Sequence, residues 1–263
     1  MAPRVLLLGG HGKISLLMTP LLLQRSWSLT SLIRSSSQES DVVSAAGEYA
    51  SNLDVKIGDL EAINSQAHAQ SILDETKPDY VIFSAGAGGK PPKSRTYTID
   101  RDACTHFINA SASTPSVSKF LLISYIGSRR SRAPWWSDED WAATQNVNNG
   151  ALKDYHIAKL AADEALVEAV RGRIAEGHAF TGWCLRPGGL TDDNEGGVAL
   201  GKIAARGTVG RGKVAKVAVE LLADGRRGGW VDCLEGDQGV EEEVQRVIKD
   251  EIDCYEGEGE PIT

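Results

Sequence analysis

An apolar run, Val5 to Leu8 with Arg4 ahead of it, breaks into Gly9, Gly10 and Gly12 and gives way to an apolar helical stretch from Ile14. Four consecutive aliphatic residues leave no polar face, so this strand is read as buried on both sides, as in a parallel sheet. Glycines directly after such a strand let the backbone turn tightly. The helix that follows points its free N–H groups and positive dipole end back at the turn. Strand, glycine turn and helix start are together the parts of a crossover that holds a pyrophosphate. The spacing is Gly9-x-x-Gly12-x-x-Ser15, with serine where a third glycine normally lets helix and strand pack closely. Gly9, Gly10, Gly12, Lys13 and Ile14 are the expected cradle of a dinucleotide. A loop of the nucleoside-triphosphatase kind is argued against, because Lys13 is followed by Ile14 and residue 7 is Leu where the first glycine would stand.

The rest of the chain repeats the alternation. Apolar strand patterns fall at 28–33, 53–57, 80–84, 119–123, 180–185 and 229–234, separated by helical patterns at 39–50, 61–76, 96–112, 152–175 and 213–223. A last helix is read at 240–252, and Pro20 is expected to kink the first, 13–24. This order predicts an α/β fold, a Rossmann-type doubly wound parallel sheet of about seven strands. One domain is expected over 1–255, with small C-terminal elements on the substrate side. Residues 256–263, Glu-Gly-Glu-Gly-Glu-Pro-Ile-Thr, have little to bury and are expected to be disordered.

A length of 263 residues and 41% hydrophobic content suit a single core of that size, while a net charge of −8 argues against a general nucleic-acid binder. The four cysteines and five histidines form no CxxC or HExxH, so no metal site is expected, and the widely spaced thiols suit a reducing compartment. The longest apolar stretch, 14–23, is too short for a bilayer. The expectation is a cytoplasmic protein with a small-molecule substrate, no nucleic-acid partner and no membrane contact.

Three further stretches carry chemistry. Arg34, followed by Ser35, Ser36 and Ser37, ends the second strand, where such folds meet the adenosine ribose. A base with hydroxyls there suits the 2′-phosphate of NADP, and the first acid, Glu39, comes late. A second glycine-rich turn, Ala85-Gly86-Ala87-Gly88-Gly89, ends the fourth strand. Third, Tyr155 and Lys159 stand four residues apart, which on a helix places them on one face. A tyrosine with a pKa near 10 is about 0.1% ionised at neutral pH, and a neighbouring ammonium is expected to bring it toward the working range. Between these stretches, Ser128 to Trp141 crowds three arginines and three of the six tryptophans, and reads as a lid over a bulky, aromatic or anionic substrate. Ser137 to Asp140 is read as a capping box for a short helix ended by Asn148-Asn149-Gly150.

The chain resembles the short-chain dehydrogenase/reductase superfamily, in particular its atypical, NmrA-like members. The likeness rests on Gly9-x-x-Gly12-x-x-Ser15, Arg34, Gly58-Asp59-Leu60, Ala85-Gly86, Ile123-Ser124, Tyr155-x-x-x-Lys159 and Arg186-Pro187-Gly188-Gly189. It implies Asp59 and Leu60 at the adenine edge and Ala85-Gly86 along the adenosine and ribose. Pro187, Gly188 and Gly189 are implied beside the carboxamide, with Lys159 also on the nicotinamide ribose. In the family's catalytic pattern Tyr155 is the general acid or base and Lys159 its tuner. The family's catalytic serine is usually the second of a Ser-Ser pair; that place is Tyr125 here, so Ser124 or Tyr125 is the expected helper. The family's active-site Asn appears as Asp100. The leading functional reading is an NADP-dependent oxidoreductase of a small or aromatic carbonyl compound. The alternatives are an NADP-binding redox sensor and a non-redox isomerase or epimerase on the same scaffold.

Overall fold

The computed structural model describes residues 2–88, 92–224 and 228–259. Three βα units and a fourth strand open the chain: β1 (Arg4–Leu8), α1 (Lys13–Gln24), β2 (Ser28–Ile33), α2 (Glu39–Ala46), β3 (Leu53–Ile57), α3 (Gln66–Thr76) and β4 (Tyr80–Phe83). A helical stretch follows in three pieces, α4 (Ser94–Thr96), a π-helical segment (Tyr97–Ala103) and α5 (Cys104–Ser113), and leads to β5 (Lys119–Ile123). Then come α6 (Asp138–Asn149), α7 (Lys153–Ala175), β6 (Thr181–Pro187), β7 (Gly189–Thr191), β8 (Gly197–Leu200), β9 (Thr208–Gly210), α8 (Arg211–Asp224), β10 (Gly229–Gly236) and α9 (Val240–Lys249).

Eight strands lie in the order β3-β2-β1-β4-β5-β6-β10-β8, parallel except for β8, which runs antiparallel to β10. Strand direction of growth reverses between β1 and β4, which opens a crevice at their carboxyl ends. The apolar runs are continuous because successive residues serve two cores. Leu6, Leu8, Val81, Phe83, Phe120 and Leu122 face the layer of α3, α5 and α7, while Val5, Leu7, Ile82, Leu121 and Ile123 face that of α1, α8 and α9.

The differences from expectation have local causes. The helix read at 39–50 stops at Ala46, where Gly47 takes φ 54° and a 3₁₀ turn carries the chain on to Asn52. Helix α1 crosses Pro20 as one element. Strand β8 and the two-stranded β7–β9 pair had no periodic signal, being three or four residues each. They exist through pairings distant in sequence, such as Gly189 with Thr208. In residues 256–259 the Glu258 side chain is buried, accepts from the Arg130 and Ser131 N–H groups, and lies 3.4 Å from the Arg129 guanidinium. Residues 260–263 and Gly89 lie outside the described residues.

Candidate active site

Three connected cavities open along the carboxyl edge of the sheet, of about 600, 510 and 440 Å³. The first lies on the β2 side, the second is central, and the third lies against α6. Gly9, with φ 83°, makes the turn after β1; a Cβ there would sit 2.7 Å from the Ala85 Cα, so the two glycine-rich turns touch. Gly12 lines the first two cavities, and its Cβ would stand 3.2 Å from the Gly9 carbonyl oxygen. Gly10 is turned the other way: a Cβ would come 1.8 Å from the Ser31 Oγ, so this glycine serves the packing of β1 on β2.

On the β2 side the structure brings together Gly9, Lys13, Arg34, Asp59, Leu60, Ala85 and Gly86. Ser35 caps the turn that follows β2, and Gln38 accepts from the Arg34 and Ser35 N–H groups. Several residues here were invisible to spacing. Arg95 donates to Glu61, with Nη2 at 2.7 Å, and Arg34 Nη1 approaches the same carboxylate at 4.0 Å. Two arginines thus converge on one acid in the turn after β3, beside the end of β2. His11 also lines this cavity, held by Asp41 and Gln38. In sequence Arg95 follows Lys90-Pro91-Pro92-Lys93-Ser94, and no pattern marks it.

The central cavity holds Lys13, Ile14, Ser124, Tyr155 and Lys159 with the same glycine turns. Tyr155 and Lys159 do share a face of α7, with the ammonium 5.9 Å from the tyrosine ring centroid. Lys159 is nearly fully buried; its Nζ donates to the Ile123 carbonyl at 2.7 Å and lies 3.8 Å from Asp100 Oδ1. Asp100, within the π-helical segment, accepts the Ala87 N–H at 2.9 Å through Oδ2, and its Oδ1 has no hydrogen-bond partner. Burial pulls the Lys159 ammonium down, but Tyr155, Asp100, Cys104 and Asp163 outweigh it and leave it above its ordinary value. Burial pushes the Asp100 carboxyl up, and Lys159 recovers only part of that. Tyr155 departs from expectation. Burial raises its phenol above 10.0, Lys159 offsets part of the rise, and Asp100 and Asp163 add to it. The net direction is upward, so Tyr155 is a neutral phenol in this state.

Ser124 and Tyr125 are both committed to the protein. Ser124 donates to Asp163 Oδ2 at 2.7 Å, and Asp163 lies 3.6 Å from the buried Arg186 guanidinium. The Asn148 amide is oriented by its N–H donation to the Gly127 carbonyl, so its oxygen accepts from the Tyr125 hydroxyl at 2.8 Å. The phenol has a single proton, and His156 Nδ1, 3.1 Å away, must therefore be the donor to the Tyr125 oxygen. Arg186 also donates to the Ile126 and Ser128 carbonyls and to Asp232, which fixes the loop leaving β5.

Pro187, Gly188 and Gly189 line the α6-side cavity, together with Tyr125, Tyr155 and residues of α6. The expected tryptophan lid is corrected by the structure. Trp135 and Trp136 pack with Ile126, Ala133, Ala205 and Leu234, Trp136 Nε1 donates to the Ile203 carbonyl, and none of the three tryptophans lines these three cavities. The wall over the site is α6 itself, capped by Ser137, through Ala143, Thr144 and Val147. No group of three potential metal ligands occurs among the described residues, and none of their helices is long and apolar enough to cross a membrane.

A family described as NAD(P)H-binding matches residues 9–225. A UPF0659 protein of Schizosaccharomyces pombe is 30% identical over 220 residues, 82% of this chain and 83% of that one. A Bacillus subtilis protein named an uncharacterized sugar epimerase is 27% identical over 248 residues, 93% of this chain and 100% of that one. Among solved structures, a candidate NAD-dependent epimerase/dehydratase of Bacillus halodurans superposes with a TM-score of 0.72 at 21% identity, over 93% of this chain and 100% of that one.

Proposed function

The chain belongs to the NAD(P)H-binding family, and on that premise we propose that it is an NADP-dependent oxidoreductase acting on a small carbonyl compound or the matching alcohol. The observation that carries the reading is the placement of Tyr155 and Lys159 on one face of α7, in the same cavity as Gly12, Ala85 and Gly86. The pocket suits the cofactor: side chains at Gly9 and Gly12 would fill the turn, and the N-terminus of α1 faces it. Gly12 and Lys13 would hold the pyrophosphate, Asp59 and Leu60 the adenine edge, and Arg34 with Arg95 the 2′-phosphate, displacing Glu61 from between them. When bound, the nicotinamide supplies or accepts the hydride.

The protein's part is the proton. Tyr155, kept neutral by burial, holds it at Oη and donates it to the carbonyl oxygen in reduction. In the reverse direction it must lose it, and Lys159 stabilises the phenolate that results. Lys159, tied to the Ile123 carbonyl, is fixed in place rather than sampling rotamers. Ser124 and Tyr125 position the wall, since each has given its proton to a protein acceptor.

The test is consumption of NADPH over a panel of aliphatic and aromatic aldehydes and ketones, with Tyr155→Phe as the variant. Removing the hydroxyl should leave cofactor binding intact and lower turnover about a hundred- to ten-thousandfold, the usual range for general acid catalysis. Full turnover in Tyr155→Phe would remove it from the acid's role. A wild type that binds NADPH and reduces nothing would favour a sensor.

A further inference from the structure

The cavity against α6 carries a charge asymmetry at odds with the whole chain. In a protein of net charge −8, it is lined by Arg206 and Arg211 and by no aspartate or glutamate. Its remaining surface is largely apolar, with Ile126, Ala143, Val147, Leu152, Leu190 and Ala205 contributed from five separate stretches of chain. Val147, Leu152 and Leu190 are exposed large hydrophobics, an apolar rim around the opening. Apart from the Tyr155 hydroxyl, the polar side chains between them already donate within the protein. Ser124, Tyr125, Thr144 and Asn148 donate to Asp163, Asn148, the Asp140 carbonyl and the Gly127 carbonyl respectively. A polyhydroxylated sugar would find few free donors here besides the two arginines and Tyr155, whereas an apolar body needs none.

The two guanidiniums keep donors in reserve. Arg206 spends one N–H on Asp140 at 3.2 Å, and Arg211 spends one on Asp192 at 2.6 Å, of five each. Arg211 opens α8, where it borders all three cavities, while Arg206 lines only this one. A volume of about 440 Å³ suits a molecule of one or two rings. From this we infer that the substrate is an apolar carbonyl compound bearing one anionic group, a carboxylate being the simplest, with the apolar body against α6 and Leu190 and the anion at Arg206 and Arg211. This inference rests on the oxidoreductase reading for its carbonyl, while the anion site stands on the cavity alone.

Two measurements separate the two. Benzoate is titrated calorimetrically into the NADP⁺ complex, with benzamide as its uncharged, unreactive counterpart; benzoate should bind the more tightly, and Arg206→Gln should weaken it by about ten- to a hundredfold. Arg206 is largely exposed, so this variant should fold, and Arg206→Lys, which keeps the charge, should retain part of the affinity. Turnover of 4-formylbenzoate against 4-methylbenzaldehyde should then favour the carboxylate in kcat/KM, through KM, and Arg206→Gln should collapse that ratio. Equal affinity for benzoate and benzamide, or an unchanged ratio in Arg206→Gln, overturns the inference. Benzoate binding that depends on Arg206, with neither aldehyde reduced, supports the anion site and counts against the reductase reading instead.

Discussion

Replacing Lys159 by methionine keeps the length and most of the volume of the side chain and removes only its charge and donors. Its closest acid is Asp100, at 3.8 Å, and both side chains are buried. At an effective dielectric of about 20, two unit charges at that distance attract by about 4 kcal/mol. Breaking a buried pair by removing one partner is costly because the survivor is left charged and unpaired. Asp100 has an escape, which is to take up a proton. Burial already raises its carboxyl above the ordinary value of 3.8. Holding a carboxyl protonated costs about 1.4 kcal/mol per pH unit above its unfolded value, a ceiling of about 4 kcal/mol at pH 7 and under about 2 kcal/mol at pH 5. The sign follows from the direction of the shift. A carboxyl whose folded value is raised contributes fully below 3.8 and loses that contribution as pH rises through the folded value. Urea unfolding of wild type and Lys159→Met at pH 5 and pH 7 measures this. The variant should be the less stable at both, by several kcal/mol at most, and the gap should narrow markedly at pH 5. Adding Asp100→Asn, which keeps an oxygen for the Ala87 N–H, should recover much of the loss at pH 7. An equal gap at the two pH values, or no recovery in the double variant, would refute the reasoning.

Arg34→Ala and Arg95→Ala should each weaken NADP binding by roughly tenfold or more while leaving NAD almost unaffected, since a charge-assisted contact to phosphate is worth about 1.5–3 kcal/mol, with the exposed Arg34 toward the lower end; calorimetric titration with both cofactors checks it, and parallel losses for NAD would contradict it. At the start of β1, Arg4 donates to Asp79 through its backbone N–H and its guanidinium. Burial alone would raise the Asp79 carboxyl, but those contacts outweigh it and hold it below 3.8. Its contribution is therefore present in full above that pH and is lost as pH falls through the depressed value. Asp79→Asn should lower stability at neutral pH and remove this part of the acid transition, followed by circular dichroism.

The order of elements, the parallel sheet and the first turn were legible because they rest on local physics. Val5 to Leu8 has no polar face, glycine alone tolerates the φ of 83° at position 9, and Ser137 caps α6 where its hydroxyl reaches the Asp140 N–H. The four-residue spacing likewise put Tyr155 and Lys159 on one face of α7 without any knowledge of the sheet. What sequence could not supply was every property set by partners far along the chain. The tryptophans between 135 and 141 looked like a lid, yet they pack on Ala205 and Leu234, some seventy residues or more away. Tyr155 looked set for a lowered pKa because Lys159 is near in sequence; the fold adds burial, Asp100 and Asp163, and reverses the sign. Arg206 comes from a loop, Arg95 from a three-residue helix and Arg211 from a helix start, none with a periodic signal, and only the fold gathers them around the cavities. Secondary structure follows the spacing of neighbours, whereas charge states and pocket walls follow from which distant groups share a volume that water has left.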